Sequence, residues 1–253
     1  MVGALNIIFI GPAGCGKTSL TAAFGRWLEE ELGLRVSYIN LDPGALTLPY
    51  EASYDVRDLI TVEKLMREEG LGPNGAMIRA AEIIDERIQE IAEKISSMDS
   101  DLRLIDTPGQ MELFLFRPMG PRLTEALLRV SPSIAVYISD PSLASESSGL
   151  AISLSMAMIS WLRLNAPTVP VINKVDEPEA QRISKLLLDL GSLRERVSME
   201  RGLVADLALR YIELVDDLSK SMRIVGVSAK TGEGMDSLYD IIHEALCECG
   251  DLT

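Results

Sequence analysis

Residues Gly11 to Thr18 read GPAGCGKT and fill every fixed position of the pattern Gly-x-x-x-x-Gly-Lys-Thr. The chemistry open to such a run is anion binding. Small residues at Gly11, Pro12, Ala13, Gly14, Cys15 and Gly16 let a loop wrap so that successive backbone N–H groups point inward. A helix beginning there adds the positive end of its dipole. Lys17 is expected to reach the β- and γ-phosphates and the Thr18 hydroxyl to ligate Mg²⁺, with Ser19 closing the loop's residue set. The bland alternative, a glycine turn before an ordinary helix, leaves the Lys-Thr pair without a purpose. The run predicts a site for a nucleoside triphosphate.

Four further segments carry chemistry of the same kind. Asp106-Thr107-Pro108-Gly109-Gln110 contains Asp-x-x-Gly, in which the Asp holds Mg²⁺ and the Gly109 N–H senses the γ-phosphate. Gln110 stands where a residue that orients an attacking water is expected. Asn173-Lys174-Val175-Asp176 matches Asn-Lys-x-Asp in full. A carboxylate only accepts hydrogen bonds, so Asp176 pairs with a base edge that offers two adjacent N–H donors. Guanine offers them and adenine does not, so the expected nucleotide is GTP or GDP. Lys174 would lay its stem on the base and Asn173 would tie this loop to the phosphate loop. Ser228-Ala229-Lys230 is nearly uninformative alone, but its position makes it the element whose backbone N–H meets guanine O6. Asp42, in Asn40-Leu41-Asp42-Pro43-Gly44, can serve Mg²⁺ or the water; a Pro-Gly turn that uses Asp for its turn chemistry stays an equal alternative.

Strands must deliver these segments. Leu5–Ile10, Arg35–Ile39, Leu102–Ile105, Ser133–Ser139, Thr168–Ile172 and Arg223–Val227 are short apolar or alternating runs, and five of them end directly on a motif. Between them lie helical patterns: a first helix closed by Gly33, Thr61–Glu69 ended by Gly70, and one long helix over Ala76–Met98. Gln110–Val130 reads as helical segments broken near Pro118 and Pro121, followed by a helix over Ser147–Leu164 and a closing helix up to Cys249. Strands alternating with helices predict an α/β fold with a parallel sheet, and chemistry gathers at the carboxyl ends of such strands. Helical insertions are expected at about 55–98 and 177–221. Because the motifs span Gly11 to Lys230, the 253 residues read as a single domain.

Composition narrows the function classes. With 47% hydrophobic residues a substantial core is affordable. A net charge of −14 argues against direct contact with nucleic acid or an anionic membrane. Three cysteines are too few for a disulfide scaffold, and no signal-peptide pattern opens the chain, so a cytoplasmic location is expected. His243, Cys247 and Cys249 supply three of the four ligands a metal site needs, and a frayed terminal helix explains them as well.

Taken together, GPAGCGKT, DTPGQ with NKVD, and the tripeptide Gly72-Pro73-Asn74 make the chain resemble the GPN-loop GTPases of archaea and eukaryotes. Asn40-Leu41-Asp42-Pro43 is similar to the family's second motif, with Gly44 where relatives commonly carry Ala. The resemblance implies a P-loop NTPase G domain, a three-layer α/β/α sandwich with a mostly parallel central sheet. It implies Mg²⁺-dependent GTP hydrolysis, with Asp42, Gln110, Asp106, Asn74 and Lys17 as the catalytic set. It further implies a homodimer whose Gly72-Pro73-Asn74 loop enters the partner's nucleotide site, where local pattern alone makes Asn74 a helix cap. A protein-complex client such as RNA polymerase is suggested by eukaryotic relatives, whose long C-terminal tails are absent here, as expected of an archaeal member. The rival classes are an ATP-dependent P-loop kinase or ATPase and a scaffold that holds GTP or GDP without hydrolysing it.

Overall fold

The computed structural model describes residues 4–139, 147–178 and 223–250, plus positions 180, 181, 195, 207, 209, 210 and 212; side chains of 147–151 and 247–250 are outside that set. Its strands are β1 (Leu5–Ile10), β2 (Val36–Asn40), β3 (Tyr54–Asp55), β4 (Leu102–Asp106), β5 (Ser133–Ser139), β6 (Thr168–Ile172) and β7 (Val225–Gly226). They form one sheet in the order β3-β2-β4-β1-β5-β6-β7, every pairing parallel. The helices are α1 (Lys17–Leu32), α2 (Val62–Glu69), α3 (Pro73–Glu86), α4 (Ile88–Ser96), α5 (Met111–Phe116), α6 (Met119–Leu128), α7 (Ser147–Leu164) and α8 (Met235–Gly250).

The three layers follow from the pleat of the central strand. Successive side chains of β1 point to opposite faces. Ile8 and Ile10 join a core with Ile84, Ile88, Ile91, Phe114 and Leu123. Leu5, Ile7 and Phe9 join the other, with Leu20, Phe24, Leu28, Leu238 and Ile242. All six β1 residues are buried, which is why the strand reads as a continuous apolar run rather than an alternation. The three-layer α/β/α expectation is met.

Several expected boundaries hold for local reasons. Gly33 and Gly70 close α1 and α2 in the left-handed conformation, at φ 64° and 65°. The Thr61 hydroxyl caps α2 by accepting from the Lys64 N–H at 3.2 Å.

Three expectations need correction. The long helix over Ala76–Met98 is two helices, broken at Arg87 (φ −107°, ψ 10°) with no glycine or proline to announce it. There α3 packs on both α2 and α6, whereas α4 packs on α6. Asn74 does not cap α3: Gly72 holds the N-cap, Pro73 takes the first helical position, where its missing N–H costs nothing, and no side chain caps the end. Pro121 does not interrupt α6 but lies in its first turn, after Pro118 at the N-cap. The insertion expected at 177–221 falls almost wholly outside the described residues. Among the described residues no helix is long and apolar enough to cross a membrane.

Candidate nucleotide site

The loop between β1 and α1 is shaped by two close approaches. A Cβ on Gly11 (φ 156°) would sit 2.5 Å from the Ile138 carbonyl oxygen and 2.8 Å from the Cys15 sulfur. At Gly16, in the left-handed region at φ 92°, a side chain would run into the Asn173 amide. Lys17 is buried, and its ammonium donates to the carbonyls of Gly11 at 2.8 Å and Pro12 at 2.9 Å. That anchors a positive charge in the concavity of the loop, at the N-terminus of α1, where an anion gains most.

The ends of β2 and β4 meet at the same place. Asp106 closes β4 with 1% exposure. Its Oδ2 accepts from the Tyr50 hydroxyl at 3.0 Å, while Oδ1 is buried and takes up no hydrogen bond of good geometry. Burial pushes this carboxyl up to about 6, opposed by the hydroxyls of Thr18 and Tyr50 and by the Lys17 charge. An orphaned buried carboxylate oxygen beside a threonine hydroxyl is a donor set of hard oxygens, the kind a Mg²⁺ ion takes. Thr18 and Asp106 therefore fit that ion. Asp42 is differently employed: Oδ1 accepts from the Gly44 N–H at 2.8 Å and Oδ2 from the Gly109 N–H at 3.1 Å. It ties the loop after β2 to the loop after β4.

That loop is also braced from behind, by residues the motif reading left out. Asn40 donates to Asp55 at 2.9 Å and accepts from the Asp42 N–H at 3.0 Å. Arg57 pairs with Asp55 at 2.6 Å and donates to the Ala45 carbonyl at 3.1 Å. The Asp-x-Arg spacing of Asp55 and Arg57 was the one available signal; Tyr50 offered none. Gln110 stands at the N-cap position of α5 without a capping side-chain hydrogen bond, and its amide lies 3.5 Å from the Asn74 side-chain oxygen of the same chain. Gly72, Pro73 and Asn74 are all exposed, so the tripeptide stands at the rim of the phosphate end.

At the other end of the site, β6 and β7 deliver the base-facing loops. Asn173, 1% exposed, donates to the Cys15 carbonyl at 3.0 Å and accepts from the Lys174 N–H at 2.8 Å and the Ala229 N–H at 3.2 Å. One amide thus joins the phosphate loop, the Asn-Lys-x-Asp turn and the Ser-Ala-Lys turn. Lys174 adopts φ 65°, unusual for a side-chain-bearing residue, and its ammonium reaches the Gly14 carbonyl at 3.0 Å. Asp176 accepts from the Ser228 hydroxyl at 2.6 Å and lies 3.8 Å from the Lys230 ammonium. The Ser228 hydrogen bond, aided by the Lys230 charge, holds its carboxyl below the usual carboxylate range.

All the expected nucleotide residues thus converge on the carboxyl ends of the strands. His243 does not; it packs edge-on against Tyr239 with ring centroids 4.4 Å apart, and the side chains of Cys247 and Cys249 lie outside the described residues. A separate cavity of about 330 Å³, lined by Glu82, Asp85, Arg117 and Met119 among others, shares no residue with the site.

Comparison with known proteins agrees with this geometry. Residues 9–248 match a family model described as "Conserved hypothetical ATP binding protein". The chain is 40% identical to the GPN-loop GTPase PAB0955 of Pyrococcus abyssi, over 98% of this chain and 99% of that protein. It is 28% identical to GPN-loop GTPase 1 of Dictyostelium discoideum, over 94% of this chain but 60% of that longer protein. The crystal structure of the Pyrococcus protein, described as a GTPase in apo form, superposes with a TM-score of 0.89 at 38% identity, covering 98% of this chain and 99% of that one.

Proposed function

The chain belongs to the GPN-loop GTPase family and is a GTPase; from that premise we propose that it is a Mg²⁺-dependent, homodimeric switch or assembly factor. The observation that carries the reading is the convergence at the carboxyl end of the sheet of a buried lysine in a phosphate loop, an orphaned carboxylate oxygen at Asp106 and a preset carboxylate at Asp176.

In this reading Lys17 exchanges its two loop carbonyls for oxygens of the β- and γ-phosphates, and the inward amides of Gly14 to Thr18 bind the rest of the chain. Thr18 and Asp106 would hold Mg²⁺, which when bound would supply charge stabilisation for the transferred group. In-line attack by water is limited mostly by positioning. Gln110 orients that water; the Gly109 N–H would leave Asp42 Oδ2 for the γ-phosphate, which frees the Asp42 carboxylate to hold the water as well. Asp176 accepts from guanine N1–H and N2–H₂. Adenine would leave that carboxylate facing an acceptor, a costly mismatch in a partly buried site. The geometry thus favours guanine over the adenine nucleotide named in the family model's description.

The exposed Gly72-Pro73-Asn74 loop stands beside Gln110, at a rim that a second copy could cover. The proposal places Asn74 against the partner's phosphate. The client is read as a protein complex such as RNA polymerase, consistent with a net charge of −14 that disfavours direct contact with nucleic acid.

Two measurements test the reading. Gln110→Leu should bind GTP as the parent does and lose about 10²-fold in single-turnover hydrolysis; unchanged turnover removes Gln110 from the mechanism. Mixing Asn74→Ala chains with Lys17→Ala chains separates action across the dimer from action within a chain. Across the dimer, each mixed pair has one intact site and activity returns. Within a chain, neither site is complete and it does not.

A further inference from the structure

Asp106 is held by a residue that belongs to none of the nucleotide motifs. The Tyr50 hydroxyl donates to its Oδ2 at 3.0 Å. Tyr50 is itself fixed: its ring stacks on Tyr38, centroids 5.2 Å apart and planes 16° from parallel, and the Tyr38 hydroxyl donates to Glu29 on α1 at 2.9 Å. The pair therefore links α1, through two rings, to the carboxylate at the end of β4.

That link decides which oxygen of Asp106 is on offer. With Oδ2 occupied, Oδ1 is the buried oxygen left without a well-formed hydrogen bond, on a carboxyl that the Thr18 hydroxyl and the Lys17 charge also influence. A carboxylate free to turn about χ2 would alternate its oxygens and take up whichever partner came first. We propose that Tyr50 is a positioning residue for the cation: its O–H occupies Oδ2 and fixes the rotamer of Asp106, which leaves Oδ1 as the oxygen a cation held with Thr18 would use. Tyr50 also lies on the loop that carries Asp42, so the loop after β2 grips the end of β4 at Gly109 and again at Asp106. Outer partners of this kind orient ligands and typically change metal affinity by about 10–100-fold.

The inference rests on the proposed reading of Asp106 as a cation ligand, and its test keeps the two apart. The full chain is loaded with a fluorescent GDP, and the dissociation rate is followed as Mg²⁺ is titrated from an EDTA baseline, for the parent, Tyr50→Phe and Asp106→Asn. Phenylalanine keeps the ring stack and removes only the hydroxyl. Tyr50→Phe should require about tenfold or more Mg²⁺ to slow release, with the EDTA baseline unchanged. Asp106→Asn should lose the Mg²⁺ response. A parent-like titration for Tyr50→Phe beside an unresponsive Asp106→Asn overturns the role of Tyr50 and leaves Asp106 as the ligand. Faster release with and without Mg²⁺ alike overturns it too, because that is what a disordered loop produces. If Asp106→Asn titrates like the parent, the cation reading of Asp106 falls and this inference with it.

Discussion

The two ends of the site treat their aspartates in opposite ways. At the phosphate end, Asp106 is 1% exposed, one oxygen lacks a good hydrogen bond, and burial pushes its carboxyl up to about 6. At the base end, Asp176 has 18% of its side chain exposed, one oxygen takes the Ser228 hydroxyl, and its carboxyl is held low. Under the proposed reading, a group that would grip a cation is kept under-satisfied, so the incoming charge would relieve an existing cost. A group that must read hydrogen-bond donors is kept ionised and pre-aimed, so it presents only acceptors. The molecule stores strain in electrostatics at one end and order at the other.

The base end should give the largest effect. Asp176→Asn replaces an acceptor-only group with one that presents an N–H₂ to guanine's own donors. The preference for GDP over ADP should fall by on the order of 10²–10³-fold, read by competition against fluorescent GDP. An unchanged preference would mean that the base is read elsewhere and that the ordered end is only scaffolding. Asn173→Ala then asks whether the two ends are separate. This buried amide serves the Cys15 carbonyl and the Lys174 and Ala229 N–H groups, so its loss orphans backbone groups on both sides. The expected cost is about 2–3 kcal/mol, a fall of about 5–10 °C in Tm by calorimetry, with GTP and GDP binding weakened together. A loss confined to base discrimination would show the ends to be independent.

How far the site could be read from sequence follows the same divide. Gly11–Thr18, Asp106–Gln110 and Asn173–Asp176 were legible because each is contiguous and each follows an apolar strand, so a local pattern encodes both the chemistry and its placement. The sheet was legible for the same reason. What escaped is made of long-range pairings. Tyr50 meets Asp106 across 56 positions of chain, and β3 is two residues that acquire strand character only by pairing with β2. The break at Arg87 carries no breaker residue, because packing on different neighbours sets it. Asn74 looked like a cap by composition, but Pro73 already satisfies the helix start and frees the side chain for Gln110.

The under-satisfied end predicts an effect of pH on stability. In the unfolded chain Asp106 titrates near 3.8 and in the folded chain near 6, so the folded state holds the extra proton between those values. The stability this group contributes is present in full below pH about 4 and is lost as pH rises through about 6. Asp106→Asn removes that loss. The nucleotide-free variant should be more stable than its parent at pH 7 by about 3 kcal/mol and at pH 4 by only about 0.5 kcal/mol, in urea unfolding at both values. No change with pH would mean that water reaches Asp106 and the contrast between the ends is smaller than burial suggests.

The smallest effect concerns how the phosphate end is held rather than what it binds. Gly25 lies on the inner face of α1, and a Cβ there would collide with the hydroxyl end of the Tyr38 ring. That ring is stacked between α1 and Tyr50 and cannot simply swing aside. Gly25→Ala raises helix propensity by about 1 kcal/mol, yet overpacking of a fixed ring costs about 1–3 kcal/mol. The net change in stability should therefore lie between zero and a loss of about 2 kcal/mol. Displacing Tyr38 moves Tyr50 and loosens its bond to Asp106, so the Mg²⁺ requirement for slow GDP release should rise while the preference for guanine stays. A variant that gains the full helix benefit with its Mg²⁺ titration unmoved would show that the rings yield freely, and that the two tyrosines fill space without aiming the carboxylate.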